Sequence, residues 1–370
     1  MTRKIGSGGA MRIGMAVLAY YGRDARVRRY AEALARRGYV VDVVALREPG
    51  SAKTETIAGV NVIKVPMGRQ RRGALYYLFE SGFFTLAAAW HLARRRYDVV
   101  HIHNMPDLLV FAALVPKLRR AAVVLDIHDL MPEVYQSKYE AGPDHGLVSA
   151  MRLEERISFR FPHAIIYSAQ TFRDIAASRR SGVGKKGAVF INTADTALFD
   201  RNLHPWRGGG PEGVFRVLYL GTVSHRHGVD QAVAAVAGVR SRIPNIVFDI
   251  YPRFAAGEGE PLRRLQEQVA ELGLDDVVRF LDPVPLDDVP AILAGADVGV
   301  FTPHVDAHID IALSLKVPEM AAMAVPIVAT RTAVMDTYFG DEGILFFDDG
   351  DIDACVEAIA WVHDNPAEAR

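Results

Sequence analysis

Residues 11–46, MRIGMAVLAYYGRDARVRRYAEALARRGYVVDVVAL, decide how this chain folds. MRIGMAVL (11–18) is a continuous apolar run of strand length. Residues 24–37 then repeat apolar side chains at helical spacing: Val27, Tyr30, Ala31, Leu34 and Ala35. VVDVVAL (40–46) returns to a strand. A strand that is apolar on both faces must be covered on both faces. With a helix between two such strands, the unit reads as β-α-β with parallel strands.

Outward from there the alternation continues. VVHIH (99–103), AVVLDI (122–127), AIIYSA (164–169) and AVFIN (188–192) read as strands. Helical patterns run from Asp107 to about Leu118, over 146–160 and over 170–180. Residues 200–213, DRNLHPWRGGGPEG, break the pattern with Gly, Pro and charge and read as a linker. The alternation restarts at FRVLYL (215–220) and runs through NIVFDIY (245–251), VVRFL (277–281), DVGVF (297–301) and PIVAT (326–330). Helical patterns separate these strands, and a helix opening at Asp351 closes the chain. The expectation is α/β: two doubly wound Rossmann-like domains, 11–199 and 214–370, facing each other across a cleft. Residues 1–10 read as a disordered leader.

The composition agrees. At roughly 100–200 residues per domain, a chain of 370 favours two domains. The single cysteine, Cys355, rules out an internal disulfide and a CxxC metal site, so a reducing, cytoplasmic compartment is expected. The net charge of −1 conceals an asymmetry: residues 1–200 hold 30 basic and 18 acidic groups, residues 201–370 hold 13 and 26. The basic half is expected to meet an anionic membrane surface through Arg69, Arg71, Arg72, Arg94, Arg95, Arg96, Arg119 and Arg120. No nucleic-acid partner is expected. The longest apolar stretch, Ala74–Ala93, is interrupted by Glu80, Gly82 and His91. It reads first as a buried core helix and second as a helix lying on a membrane.

Several motif matches fail on context. Gly182, Gly184 and Gly187 spell GxGxxG, but between a helix and a strand, the reverse of a dinucleotide site, so they read as a turn. The acidic run 348–353 lacks a calcium loop's ligand series, and Asp351 reads as a helix cap. His101 and His103 share a strand face with no third ligand nearby in sequence, so no metal is expected.

Three loops carry more chemistry. Gly221 to Gly228, GTVSHRHG, joins a strand to a helix; its glycine admits a ligand to the backbone and Arg226 adds charge, a phosphate-site pattern. Ser314, Leu315 and Lys316 open the next candidate helix, with Glu319 one turn on, where a carboxylate can accept two ribose hydroxyls. A solvated Lys316–Glu319 pair is the plain alternative. In the first half, His128 and Asp129 follow a buried strand, and the histidine either bonds a sugar and moves a proton or is a loop residue. Gly22 follows the first strand, and Asp24, Arg26 and Arg28 begin the first helix, with Asp24 also a candidate cap.

Taken together, RDARVRRYAEALARRGYVVDVV, DVVHIHNMPDLL, VVLDIHDLMPE, GTVSHRHGVD and ALSLKVPEMAAMAVPIVAT resemble a family 4 glycosyltransferase with the GT-B fold over about residues 11–370. The resemblance implies retaining transfer from a nucleotide sugar, a UDP-sugar favoured over a GDP-sugar, without a metal. It implies a saccharide, lipid-linked or small-molecule acceptor. On it, Glu319 matches the second glutamate of the E-x7-E motif and holds the ribose. Arg226 and Lys316 neutralise the diphosphate, and backbone over 312–315 contacts it. Gly221 and Thr222 belong to the donor site, His128 stands by the donor sugar, and Gly22 belongs to a flexible loop. Asp24, Arg26 and Asp129 lie on the acceptor side. The first glutamate of the motif falls at Ile311, leaving Asp310 or Asp306 to replace it. His227 stands where the family usually has a lysine. The family's final crossover helix is expected to lie beyond residue 370. A nucleotide-sugar epimerase of the same fold and a two-lobed sugar-binding protein are the competing readings.

Overall fold

A computed structural model describes residues 10–68, 74–180, 182–207, 213–253, 259–340 and 343–370. It divides into two compact units, Met1–Ile191 and Asn192–Arg370. The break falls eight residues before the start of the linker read from composition. Residues 192–199 fall with the second unit, and the buried Ala194 and Phe199 anchor them.

The first unit runs β1 (Arg12–Tyr20), α1 (Ala25–Arg36), β2 (Val40–Leu46), β3 (Thr54–Ile57), β4 (Val60–Val65), α2 (Ala74–Ala93) and β5 (Val99–His103). It continues with α3 (Leu114–Leu118), β6 (Ala122–Ile127), α4 (Met131–Tyr139), α5 (Gly146–Ser158), β7 (Ala164–Tyr167), α6 (Gln170–Arg179) and β8 (Gly187–Val189). The sheet order is β3-β4-β2-β1-β5-β6-β7-β8. Every pair is parallel except the β3–β4 hairpin, whose exposed edge strand has no long apolar run to announce it. The core joins Ile13, Met15 and Val17 of β1 to Val27 and Ala31 of α1 and Val41, Val43 and Ala45 of β2. This is the β-α-β unit read from residues 11–46.

The second unit runs β9 (Phe215–Thr222), α7 (Val229–Val239), β10 (Ile246–Arg253), α8 (Gly259–Glu271), β11 (Val278–Phe280), α9 (Val289–Leu293) and β12 (Val298–Phe301). Then come α10 (Lys316–Ala322), β13 (Ile327–Thr330), α11 (Ala333–Tyr338), β14 (Leu345–Phe347), α12 (Ile352–Asp364) and α13 (Pro366–Ala369). Its sheet is β11-β10-β9-β12-β13-β14 and parallel throughout. Both units are therefore Rossmann-like. Val229, Val233 and Val236 of α7 and Ile359 of α12 pack on Val217, Phe248 and Val300 of the sheet. Cys355 is buried in the same core, and burial pushes its thiol up to about 12, which leaves it inert.

Two readings from sequence change. The 107–118 helix is a 3-10 segment, Asp107–Ala113, before the short α3. And α2 is not a buried helix. Phe84, Ala88 and Leu92 pack inward, but Phe79, Phe83, Leu86 and Trp90 are exposed. Among the described residues no helix is long and apolar enough to cross a membrane. Asp351 does cap α12, accepting the Ala354 amide at 3.0 Å. Gly182, Gly184 and Gly187 form the turn from α6 into β8.

The loop after β9 closes on Gly228, at φ +58°, with the Thr302 carbonyl packed where a Cβ would stand. Gly228→Ala therefore meets both left-handed strain and a backbone clash. It is expected to lower the unfolding free energy of the second unit, measured by urea denaturation, by more than the ~1–3 kcal/mol such strain alone costs.

Candidate functional site

β9 is central in its sheet, so its carboxyl end opens among loops from both sides. Gly221 there sits at φ +146°, and the Lys316 ammonium lies where a side chain would be. Lys316 Nζ is held 3.3 Å from the Tyr219 hydroxyl and 4.7 Å from the centre of its ring. The same hydroxyl donates to the Thr222 carbonyl at 2.7 Å, so the tyrosine ties ammonium and loop together. Burial pushes the Tyr219 phenol up, and it stays protonated. A single tyrosine within an apolar strand carries no signal in the sequence, and only the fold gives Tyr219 this place.

Arg226 lies in the 3-10 turn His225–His227, its Nε 3.3 Å from Asp306 Oδ2. Asp306 also accepts the amides of His308 and Ile309 at 2.8 Å each. His227 bonds Ser224 Oγ through Nδ1 at 2.7 Å. Burial, and then the charges of Lys316 and Arg226, push His227 down to about 4. At neutral pH it adds no charge, and the loop's positive field comes from Arg226 and Lys316. Thr222 ends β9 and Glu319 lies in the first turn of α10, half-buried. Leu315 immediately precedes that turn and Ser314 accepts the Val317 amide at 3.4 Å.

Asp310 is tied to the start of α11. Its carboxylate accepts the Ala333 amide at 2.8 Å and its carbonyl the Val334 amide at 2.9 Å, which anchors the start of α11. Ile311, at the missing glutamate, is buried. The acidic run is a brace: Asp349 accepts from Gln231 at 2.9 Å and from the Val305 amide at 2.8 Å, and meets His304 at 2.9 Å. His304 meets Asp230 on its other nitrogen at 3.2 Å. Burial works against charging His304, but the two carboxylates outweigh it and raise its pKa. His225, Asp230 and His304 have donor atoms within 4.8 Å of one another, yet His304 spends both nitrogens on this brace.

In the first unit, parallel register sets His103 beside Asp126 at the carboxyl ends of β5 and β6. Asp126 is fully buried. Arg26 of α1 reaches it through Nη2 at 3.0 Å and Nε at 3.2 Å, and donates to the Phe190 carbonyl at 2.9 Å. Burial alone would raise the Asp126 pKa; His101, its Nε2 3.4 Å from the carboxylate, and the neighbouring imidazoles outweigh it and hold the carboxyl well below its ordinary range. Burial, with His101 beside it, holds His103 well below the ordinary histidine value. His103 Nδ1 lies 3.0 Å from His128 Nε2. The His128 amide donates to Asn104 at 2.7 Å and its carbonyl accepts from Ser168 at 2.8 Å, so backbone and ring are both clamped. The Asp129 carbonyl accepts from Asn104 at 2.7 Å.

The fold thus supplies the third group that His101 and His103 lacked in sequence: His101, His103 and Asp126 place donor atoms within 4.8 Å. A dication there would face the Arg26 guanidinium on the same carboxylate, and the ion pair already balances the charge. The set fits a hydrogen-bonded cluster better than a metal site. Arg26, expected on the acceptor side, is only 8% exposed and belongs to this ion pair. Asp24 caps α1 by accepting the Val27 amide at 3.0 Å. Gly22 is exposed in a 3-10 turn with room around it and no left-handed φ.

Residues 22–192 match the family described as a glycosyl transferase 4-like domain, and residues 214–365 match glycosyl transferases group 1. The sucrose-phosphate synthase of Thermosynechococcus elongatus superposes over 97% of this chain and 91% of its own, with TM-score 0.76 and 20% identity. The chain belongs to the glycosyltransferases of the GT-B fold. A D-inositol 3-phosphate glycosyltransferase of Pseudarthrobacter chlorophenolicus is 26% identical over 94% of this chain and 83% of its own length. One from Salinispora tropica is 31% identical, over 36% of this chain; the chain spans only 27% of that relative's length. Anabaena HepE in complex with UDP and glucose shares the fold at TM-score 0.69 and 17% identity, over 97% of this chain and 92% of its own. These transferases do not favour the epimerase or the binding protein.

Two outcomes follow for this glycosyltransferase. Arg26→Met strands the Asp126 charge in the core and is expected to cost about 3–5 kcal/mol in urea unfolding. His227 stays neutral in the folded chain down to about pH 4. The unfolded chain takes up the proton first, so stability falls as pH drops from the ordinary histidine value towards about 4. Histidine-detected NMR checks this, and UDP is expected to move the His227 titration upward by cancelling the charges of Arg226 and Lys316.

Proposed function

We propose that this chain transfers a sugar from a nucleotide-diphosphate sugar to an acceptor hydroxyl with retention of configuration and without a metal. The observation that carries this is the Lys316 ammonium, held over Gly221 at the end of the central strand with Arg226 in the same loop. Two fixed cations beside backbone that a ligand can approach suit a departing diphosphate. Solved neighbours hold such groups: HepE with UDP and glucose, and starch synthase IV of Arabidopsis thaliana with ADP and acarbose. A UDP-sugar is the favoured donor. Glu319 accepts the ribose hydroxyls, and Gly221, Thr222, Ser314 and Leu315 line the phosphates.

In the reaction the bond between the anomeric carbon and the diphosphate oxygen breaks. A bond to the acceptor oxygen forms on the same face of the sugar. The acceptor proton passes to the departing phosphate oxygen. The side chains position groups and stabilise charge and form no covalent intermediate. His128 serves the donor sugar. Among the described residues the buried Nε2 of His103 has no hydrogen-bond partner, so the His103 proton belongs on Nδ1, donated to His128 Nε2. That leaves Nδ1 of His128 as its donor, and makes His103 a positioning residue.

The acceptor is a hydroxyl of a saccharide, a lipid-linked saccharide or a small polyol. The curated relatives include a 2-deoxystreptamine glucosyltransferase of Streptomyces kanamyceticus and a GDP-mannose-dependent phosphatidylinositol monomannoside mannosyltransferase of Mycolicibacterium smegmatis. The basic first unit is the side that meets an anionic membrane. Arg69, Arg71 and Arg72 lie outside the described residues, and Arg94, Arg95, Arg96, Arg119 and Arg120 are exposed.

A panel of UDP, GDP, dTDP and ADP sugars, read by released nucleoside diphosphate, tests the reading. Lys316→Ala and Arg226→Ala are each expected to lower kcat by about a hundredfold. Glu319→Gln is expected to raise the donor KM with a smaller change in kcat. Unchanged donor kinetics in all three variants would overturn the site.

A further inference from the structure

α2 is apolar on every side, and a helix of that kind is ordinarily enclosed. Here only the inner half is covered. Phe79 is 67% exposed, Phe83 47%, Leu86 73% and Trp90 53%. Their spacing of four, three and four puts them in one row along the outward face. Phe79 and Phe83 stack at 6.4 Å, and Leu78 widens the row. α3, packed against α2, adds the exposed Leu114 and Leu118. Isolated exposed apolar residues need no explanation, but a continuous row of aromatic and aliphatic side chains marks a binding surface.

The surroundings say what binds. The Arg94 guanidinium lies 3.5 Å above the Trp90 ring, and Arg119 Nη1 donates to the Ala93 carbonyl at 2.5 Å, at the end of α2. Arg96 and Arg120 are exposed beside them in sequence. The only carboxylate between residues 74 and 97 is Glu80, which is buried, and residues 108–122 contain none. An apolar row with an arginine rim and no acid fits an interface that is hydrocarbon inside and phosphate outside. A second copy of this chain would bring two arginine rims together.

We propose that this chain docks on an anionic lipid surface with α2 in the interfacial plane. Phe79, Phe83, Leu86 and Trp90 enter the acyl boundary, and Arg94, Arg96, Arg119 and Arg120 take headgroup phosphates. The proposal deepens the membrane reading given above, which requires charge alone. Insertion adds a component that salt does not screen.

Flotation of the full chain with phosphatidylcholine vesicles, with and without phosphatidylglycerol, at low and high salt, tests it. The expected result is binding to the anionic vesicles that weakens but persists at high salt. Serine at Phe79, Phe83, Leu86 and Trp90 together is expected to lower partitioning roughly a hundredfold at either salt. Glutamate at Arg94, Arg96 and Arg120 is expected to remove the salt-sensitive part. Circular dichroism and the thermal midpoint confirm that these surface variants stay folded. If the serine variant binds like the parent and high salt releases both, insertion is overturned and electrostatic attachment stands. If the parent floats with neither vesicle, both readings fall. If the parent sediments as a dimer that the serine variant breaks, the surface belongs to a second copy and the proposal is overturned.

Discussion

A parallel sheet covered on both faces has no solvent-facing side on which to place chemistry. Everything polar must sit at the strand ends or be neutralised inside. Both units obey this constraint. In the second, the central strand β9 ends in Gly221 and Thr222, and the loops after β9 and β12 meet there, with Lys316, Tyr219, Arg226 and Asp306 as the contacts. In the first, β5 and β6 end side by side, and His103, Asp126 and His128 gather at that edge.

The same constraint explains the buried aspartates. Asp42 accepts from Asn61, Arg95 and Tyr97, Asp126 from Arg26, and Asp249 from Arg279 at 2.6 and 2.8 Å. Each is a strand residue whose partners come from a neighbouring strand, a covering helix or, for Arg95 and Tyr97, the segment that leads into β5. A carboxylate in such a place is tolerated only when the rest of the fold delivers a cation or several donors to it. These pairs thus depend on the packing of the whole unit.

The charge asymmetry belongs to folded units. Before the break at Ile191 the chain carries 30 basic and 16 acidic residues; after it, 13 and 28. The proposed diphosphate site lies in the acidic unit, so it relies on local charge. His227 illustrates how local: the two nearby cations help to keep it neutral. The basic unit has a different use for its charge, because arginines frame the apolar face of α2.

The sequence by itself determined the alternation of buried strands and helices, because periodicity is a local property that burial imposes on every element. It also determined the caps at Asp24 and Asp351 and the glycine turn that carries Arg226, because each depends on neighbours within a few residues; Lys316 reaches that turn only through the fold, 97 positions from Tyr219. The short β3–β4 hairpin left no such trace. Only the tertiary structure decided what each charged group faces. Arg26 reads as an acceptor-side residue at the start of the first helix, and only the fold places Asp126, a hundred positions away, beneath it. Asp310 reads as a replacement for the missing glutamate, and only the fold shows that it also holds the start of α11. α2 reads as a core helix because all its faces are apolar, and the fold covers only one of them. Periodicity tells a helix which residues it has, but the cover on each face comes from elements elsewhere in the chain.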